Sequence, residues 1–222
     1  MYKLSPSDFA YLYEECKHCY YLKIKYGVIQ PSMPMPGVFS ALNTRIQGSL
    51  VGKNLNVLSP SMPDCQVVSQ EGFVESIPIP ETSCFIKGKY DLLCQNSDGT
   101  YTIVDLKISQ ADVGKIEKYK TQLTAYKFAM ENPKSSDQIK ITKMGLLIFY
   151  PDTVAFENES ARVDFPPKWL EIPADDLGFV NFIREVDKLL AGPIPESNPE
   201  CKWCKYLKEN KEPIEEQEKL PF

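Results

Sequence analysis

Residues 84–131 most constrain the fold, because they spell strand, turn, strand and helix with little slack between them. Cys84 to Gln95 and Thr100 to Ile108 read as strands, and Ser97-Asp98-Gly99 between them reads as a hairpin turn. Val113 to Glu131 follows as a helix that stops before Pro133. A three-residue loop with Gly99 left-handed pairs Asn96 with Thr100. Counting back, that register sets Asp91 opposite Asp105. Directly opposed side chains share a face, with Cβ atoms about 5 Å apart. Two carboxylates so placed repel each other unless a cation lies between them. A two-residue turn would move Asp91 to the other face and spoil the arrangement.

The remaining elements follow from period and punctuation. Ser7 is expected to cap a first helix running to Tyr26, with Gly27 as its stop and Phe9, Leu12, Tyr13, Cys16, Cys19 and Tyr20 at helical spacing. Pro31 to Pro36 reads as a stiff linker, and a second helix runs from about Val38 to Val51. Gln66 to Ile79 reads as a strand, as do Ile141 to Tyr150 and Thr153 to Val163 around Pro151-Asp152. Asp175 to Ala191 is the final long helix, closed by Gly192-Pro193, and the acidic tail is expected to fray beyond Asn210. No internal repeat is present. This order predicts an α/β (α+β) fold with a mixed central sheet flanked by helices, as a single domain over residues 1–222.

Lys107 shares a strand face with Asp105, since side chains alternate. Two carboxylates and water suit magnesium or manganese, which activate a water and stabilise charge on a phosphodiester. Lys107 would stabilise the same charge. Gln122 and Tyr126 lie four residues apart and share a helix face, with Lys115 and Tyr119 on the same side. The net charge of −5 argues against binding nucleic acid over the whole surface, yet Lys107, Lys115, Lys118, Lys120 and Lys127 fall in one short segment. Lys115, Lys118 and Tyr119 are the candidate nucleic-acid contacts. No apolar run approaches the length of a membrane span and the N-terminus lacks a signal-peptide core, so a cytoplasmic location is expected.

In Gly88-Lys89-Tyr90-Asp91, Asp105-Leu106-Lys107 and Gln122 to Tyr126 the chain resembles the PD-(D/E)XK nuclease superfamily, in its RecB-like branch with the CRISPR-adaptation and AddB-type nucleases. The resemblance implies a restriction-endonuclease-like core over about residues 38–191. It implies metal binding by Asp91, Asp105 and the backbone carbonyl of Leu106, with Lys107, Gln122 and Tyr126 completing the catalytic set. DNA is then the implied substrate, cleaved exonuclease-like at single strands or ends. The alternative is a nucleic-acid-binding or interaction module of this fold with weak or lost cleavage. One departure stands out: the family's early-helix His or Glu is absent, and Gln47 and Asn43 are the candidate substitutes, with Glu71 or Glu75 as other sources. The only histidine, His18, is expected at the surface or behind the ligands.

Four of seven cysteines form two equal pairs, Cys16-Lys-His-Cys19 and Cys201-Lys-Trp-Cys204. In a chain expected in the cytosol, paired C-x-x-C motifs point to a metal rather than disulfides. Four thiolates fit a tetrahedral zinc or a 4Fe–4S cluster. The resemblance implies iron–sulfur, although the family splits its cysteines one and three and this chain splits them two and two. Such a centre would clamp residues 5–26 to residues 195–210 over the core. Tyr20, Tyr21, Tyr26, Trp203 and Tyr206 are expected to shield it and fill the core. The isolated Cys65, Cys84 and Cys94 read as ordinary core or surface residues.

Overall fold

The computed structural model describes residues 1–31 and 36–209; most of the expected proline linker and the tail from Asn210 onward lie outside them. The chain begins with β1 (Tyr2–Leu4), α1 (Pro6–Asp8), a π-helical turn (Phe9–Tyr13), α2 (Lys17–Tyr26) and α3 (Gly37–Leu50). The strand-rich block holds β2 (Cys65–Gln70), β3 (Phe73–Glu75), β4 (Cys84–Lys89), β5 (Leu92–Asn96) and β6 (Tyr101–Ile108). Then come α4 (Gly114–Glu131), β7 (Ile141–Phe149), β8 (Thr153–Glu157), β9 (Ser160–Asp164), β10 (Pro167–Glu171), α5 (Asp176–Ala191) and α6 (Lys202–Glu209).

Five strands form the central sheet in the order β10-β7-β6-β5-β2. β6 and β7 run parallel across the α4 crossover and the other pairs are antiparallel, so the sheet is mixed, as expected. β1-β4-β3 form a smaller sheet, and β8-β9 is a separate ribbon. Helices cover both faces. Leu93 and Ile103 pack with Tyr119, Leu123 and Tyr126 of α4, whereas Leu92, Val104 and Leu106 pack with Leu50 of α3. A third cluster joins Leu4, Phe9 and Tyr20 to Ile86, Ala125 and the Phe179, Ile183 and Leu190 stripe of α5. The result is a restriction-endonuclease-like α/β architecture. No helix among the described residues is long and apolar enough to cross a membrane.

The hairpin has the expected register. Leu92 faces Val104 and Gln95 faces Tyr101, which carries Asp91 to Asp105. The Asn96 amide donates to the Thr100 carbonyl at 2.8 Å, and Gly99 takes φ 81°, a left-handed conformation that a β-carbon disfavours. The ranges of α3, α4, α5, β6 and β7 match expectation to within a residue.

Four expectations are corrected. Residues 66–79 and 84–95 do not form two long strands; each breaks, and the breaks lie side by side. Glu71 turns to φ 51°, its amide donates to the Asp91 carbonyl at 2.7 Å, and the Tyr90 amide donates to the Gly72 carbonyl at 2.9 Å. A β-carbon at Gly72 would sit 2.2 Å from the Tyr90 hydroxyl, so a larger residue there would push that side chain away from Ser69 Oγ, which it meets at 2.8 Å. The first helix starts after Ser5 rather than Ser7 and is interrupted at Cys16, which is extended at φ −159° and caps α2 with its own sulfur. Residues 153–163 fold back on themselves through Asn158 and Glu159 as β8-β9, not as one strand. β10 is an element the sequence analysis did not expect; it begins at Pro167, and an edge strand beside β7 tolerates the lost donor.

Candidate active site and cysteine centre

Strand alternation places Asp91, Asp105 and Lys107 on the α4 face of the sheet, with Leu93 and Ile103. Asp91 lies just before β5, where β6 has no strand partner on that side, its other edge being paired with β7. Its Oδ2 accepts the Leu106 amide at 2.8 Å and so replaces the missing ladder bond. Asp105 is only 5 % exposed. Its Oδ1 accepts from Gln122 Nε2 at 3.0 Å and its Oδ2 lies 2.6 Å from Lys107 Nζ.

Burial and the charge of Asp105 push Asp91 up to about 6, against the pull of Lys107 and the Leu106 amide. Burial also raises Asp105, opposed by Lys107 and Gln122. For Lys107, burial favours the neutral form, but the Asp105 and Asp91 carboxylates outweigh it and hold the ammonium above the ordinary lysine range. Two acids with one lysine between them form a site short of positive charge, the electrostatic condition under which a divalent cation gains most.

A cleft of about 740 Å³ opens onto this cluster. Asp91, Leu106, Lys107, Lys115 and Tyr119 line it together with Phe39 and Asn43 of α3. Gln47 follows Asn43 by one turn. It is 1 % exposed, and neither its Oε1 nor its Nε2 has a hydrogen-bond partner. Buried amides are seldom left so, because desolvation without a bond costs about 1–3 kcal/mol. An oxygen-seeking cation would satisfy Oε1. Carboxylate and amide oxygens are hard donors, the kind that magnesium or manganese prefers.

The helix residues behave differently from one another. Gln122 reaches Asp105, and Tyr126 donates to the Lys89 carbonyl at 2.7 Å. Both are buried. Lys115 Nζ donates to Ser109 Oγ at 2.8 Å on the cleft wall, and Lys118 is exposed. Glu75 is tied to Lys87 and Lys134, whereas Glu71 pairs with Lys89 and adds to the field that raises Asp91. Tyr11 and Phe39 were missed by the sequence reading. Each is an aromatic side chain off the core-facing stripe of its helix, and that is the signal that would have found them.

The four paired cysteines converge from both ends of the chain. Their sulfurs all lie within 4.8 Å of one another, with Cys16 to Cys204 at 3.7 Å, Cys19 to Cys201 at 3.8 Å and Cys19 to Cys204 at 3.5 Å. A Zn–S bond of about 2.3 Å gives a tetrahedral sulfur spacing near 3.8 Å, so the group can hold a single ion. Burial pushes Cys204 up to about 11 and raises Cys19 further, while at Cys16 the Cys19 and Asn198 amides outweigh burial and lower it. A bound cation would displace the remaining thiol protons. His18 does not join the sulfurs; its Nδ1 contacts the Pro195 carbonyl at 2.7 Å and ties the two terminal segments together. Trp203 stacks on Tyr206, and Tyr20 and Tyr21 are buried. Cys65, Cys84 and Cys94 are core residues.

A mixed sheet of this topology, with Asp91 just before β5 set opposite Asp105 and beside Lys107 of β6, is an arrangement of the restriction-endonuclease type. Residues 59–208 match the PD-(D/E)XK nuclease superfamily, and the chain belongs to that superfamily. Its fold is similar to the crystal structure of SSO0001, with a TM-score of 0.54 and 20% identity over 92% of this chain and 83% of that one. No curated protein matches the chain.

Proposed function

We propose that the chain is a divalent-metal-dependent deoxyribonuclease of the RecB-like branch, acting on single-stranded DNA or DNA ends in an exonuclease-like manner. The observation that carries this reading is the pairing of half-buried Asp91 and buried Asp105 on one face of the hairpin, beside Lys107 and a cleft. Asp91, Asp105, the Leu106 carbonyl and Gln47 would hold magnesium or manganese. When bound, the cation supplies Lewis acidity, lowering the pKa of a water and neutralising charge at the phosphate. Lys107, once its hold on Asp105 is loosened, turns its ammonium to the pentavalent phosphate and stabilises the charge there. Gln122 fixes the Asp105 rotamer, and Tyr126 fixes the Lys89 backbone leading to Asp91. Lys115 and Lys118 give the cleft a basic side, and Tyr119 stands between them and Lys107. A cleft with exposed Tyr11 and Phe39 on its walls suits unpaired bases, which stack on aromatic rings.

In this reading the chain is one cytoplasmic nuclease domain over 1–222, with a core over 38–191 and its terminal segments 5–26 and 195–210 clamped by Cys16, Cys19, Cys201 and Cys204. The sulfur spacing supports a single zinc ion. The 4Fe–4S cluster implied by the branch binds each thiolate to a different iron and needs the sulfurs further apart. Absorbance near 400 nm of anaerobically purified protein, with metal analysis, separates the two.

A second reading is favoured by one observation: Gln47 offers a neutral amide where the family places an acid or histidine. A module of this fold that binds nucleic acid with weak or lost cleavage would carry such a site. A cleavage assay on single- and double-stranded DNA with magnesium or manganese, with Asp105→Ala as control, tests both readings.

A further inference from the structure

We infer that Tyr119, held in place by Tyr11, is a positioning residue for Lys107; the inference deepens the proposed nuclease reading and rests on it for the catalytic role of the lysine. The Lys107 ammonium has two neighbours of different kinds. On one side is Asp105 Oδ2 at 2.6 Å, and on the other the Tyr119 ring, with its centroid at 4.8 Å. Tyr119 is 5 % exposed and its hydroxyl bonds to the hydroxyl of Tyr11. The two rings meet edge to face at 6.1 Å and 70°. Tyr11 in turn carries the Lys118 ammonium 4.2 Å over its ring.

These contacts answer a problem posed by the acidic site. A cation binding Asp105 competes with Lys107 for the same carboxylate. A lysine that loses its only partner swings on four rotatable bonds, and the Lys107 side chain is 22 % exposed, so solvent is within reach. The Tyr119 ring face attracts the ammonium whether or not Asp105 is engaged. Tyr11 fixes that ring from a separate element. It lies in the π-helical turn Phe9–Tyr13, where Phe9, Ala10 and Tyr13 are buried and Tyr11 faces the cleft. Single π-helical turns commonly mark such re-aimed side chains. The structure therefore links the N-terminal segment to the lysine through Tyr11, Tyr119 and Lys107 in series.

The test uses the full chain with Tyr119→Leu and Tyr119→Phe. A partly desolvated ammonium–ring contact is worth about tenfold in rate, so Tyr119→Leu should lower kcat about tenfold with KM unchanged. Tyr119→Phe keeps the ring and should stay within about threefold of wild type. A second readout needs no activity. Amine-acylating reagent with peptide mass spectrometry should label Lys107 several times faster in metal-free Tyr119→Leu than in wild type, and at the wild-type rate in Tyr119→Phe. Unchanged Lys107 labelling in Tyr119→Leu overturns the inference, as does a rise in KM at constant kcat, which would make Tyr119 a substrate contact. A wild-type protein that cuts no DNA overturns the nuclease reading instead, and the labelling then decides by itself whether the ring holds the ammonium. If Tyr119→Leu does not fold, a Tyr119→Phe protein with fast Lys107 labelling overturns the inference.

Discussion

Replacing Asp91 with asparagine should make the metal-free protein more stable while removing its activity. The wild-type carboxyl is pushed from an ordinary 3.8 up to about 6, first by burial and then by the charge of Asp105. At about 1.4 kcal/mol for each pH unit, that displacement is worth about 3 kcal/mol at most. Asp91 retains some exposure and its Leu106 hydrogen bond, which an asparagine oxygen can also accept, so the expected gain is about 1–2 kcal/mol at pH 7.5. For a chain of this size that raises Tm by about 3–6 °C. The folded pKa lies above the unfolded one, so between about pH 4 and 6 the folded state holds the extra proton. Wild-type stability from this group therefore falls as pH rises through that window, and the asparagine variant lacks that slope. Thermal melts of both proteins in EDTA from pH 4.5 to 7.5 measure the difference, which should widen with pH. Magnesium should reverse the order by stabilising wild type alone. An asparagine variant that melts below wild type in EDTA at pH 7.5, or a gap that does not change with pH, refutes this reasoning.

Further outcomes follow from the same geometry. Asp105→Ala and Lys107→Ala should each reduce cleavage by about a thousandfold or more; Lys107→Ala should also lower metal-free Tm, because it leaves buried Asp105 and half-buried Asp91 without a cation. Gln47→Glu should lower the magnesium concentration for half-maximal cleavage by about tenfold, since it adds a charged oxygen ligand where an unpaired amide now sits; no change would place the extra ligand elsewhere. Cys201→Ser should release the cysteine-bound metal and speed amide exchange over residues 9–20, because that centre joins the two terminal segments. Unaltered exchange would mean the termini dock without it.

The site was legible because its geometry is local. Hairpin register needs only a turn type, so Ser97-Asp98-Gly99 located Asp91 against Asp105, and helical spacing located Gln122 beside Tyr126. The equal spacing of the two cysteine pairs likewise anticipated their meeting. The bends were not legible. Glu71-Gly72 and Tyr90 break two strands at one level because Gly72 and Tyr90 approach closely, and that contact joins residues 18 apart in sequence. The interruption at Cys16 depends on where the sulfurs must point, and β10 depends on an open sheet edge that tolerates proline. Helical spacing left Tyr11 off the core-facing stripe, but nothing in that spacing reports its bond to Tyr119, 108 residues away.

The most direct measurement is cleavage of single-stranded and duplex DNA by the purified full chain with magnesium, manganese or EDTA, with Asp105→Ala in parallel. The expected result is metal-dependent phosphodiester cleavage that EDTA and Asp105→Ala both abolish. Cleavage that persists in EDTA, equal cleavage by Asp105→Ala, or no cleavage by wild type with either metal would contradict the assignment of this site as a metal-dependent nuclease.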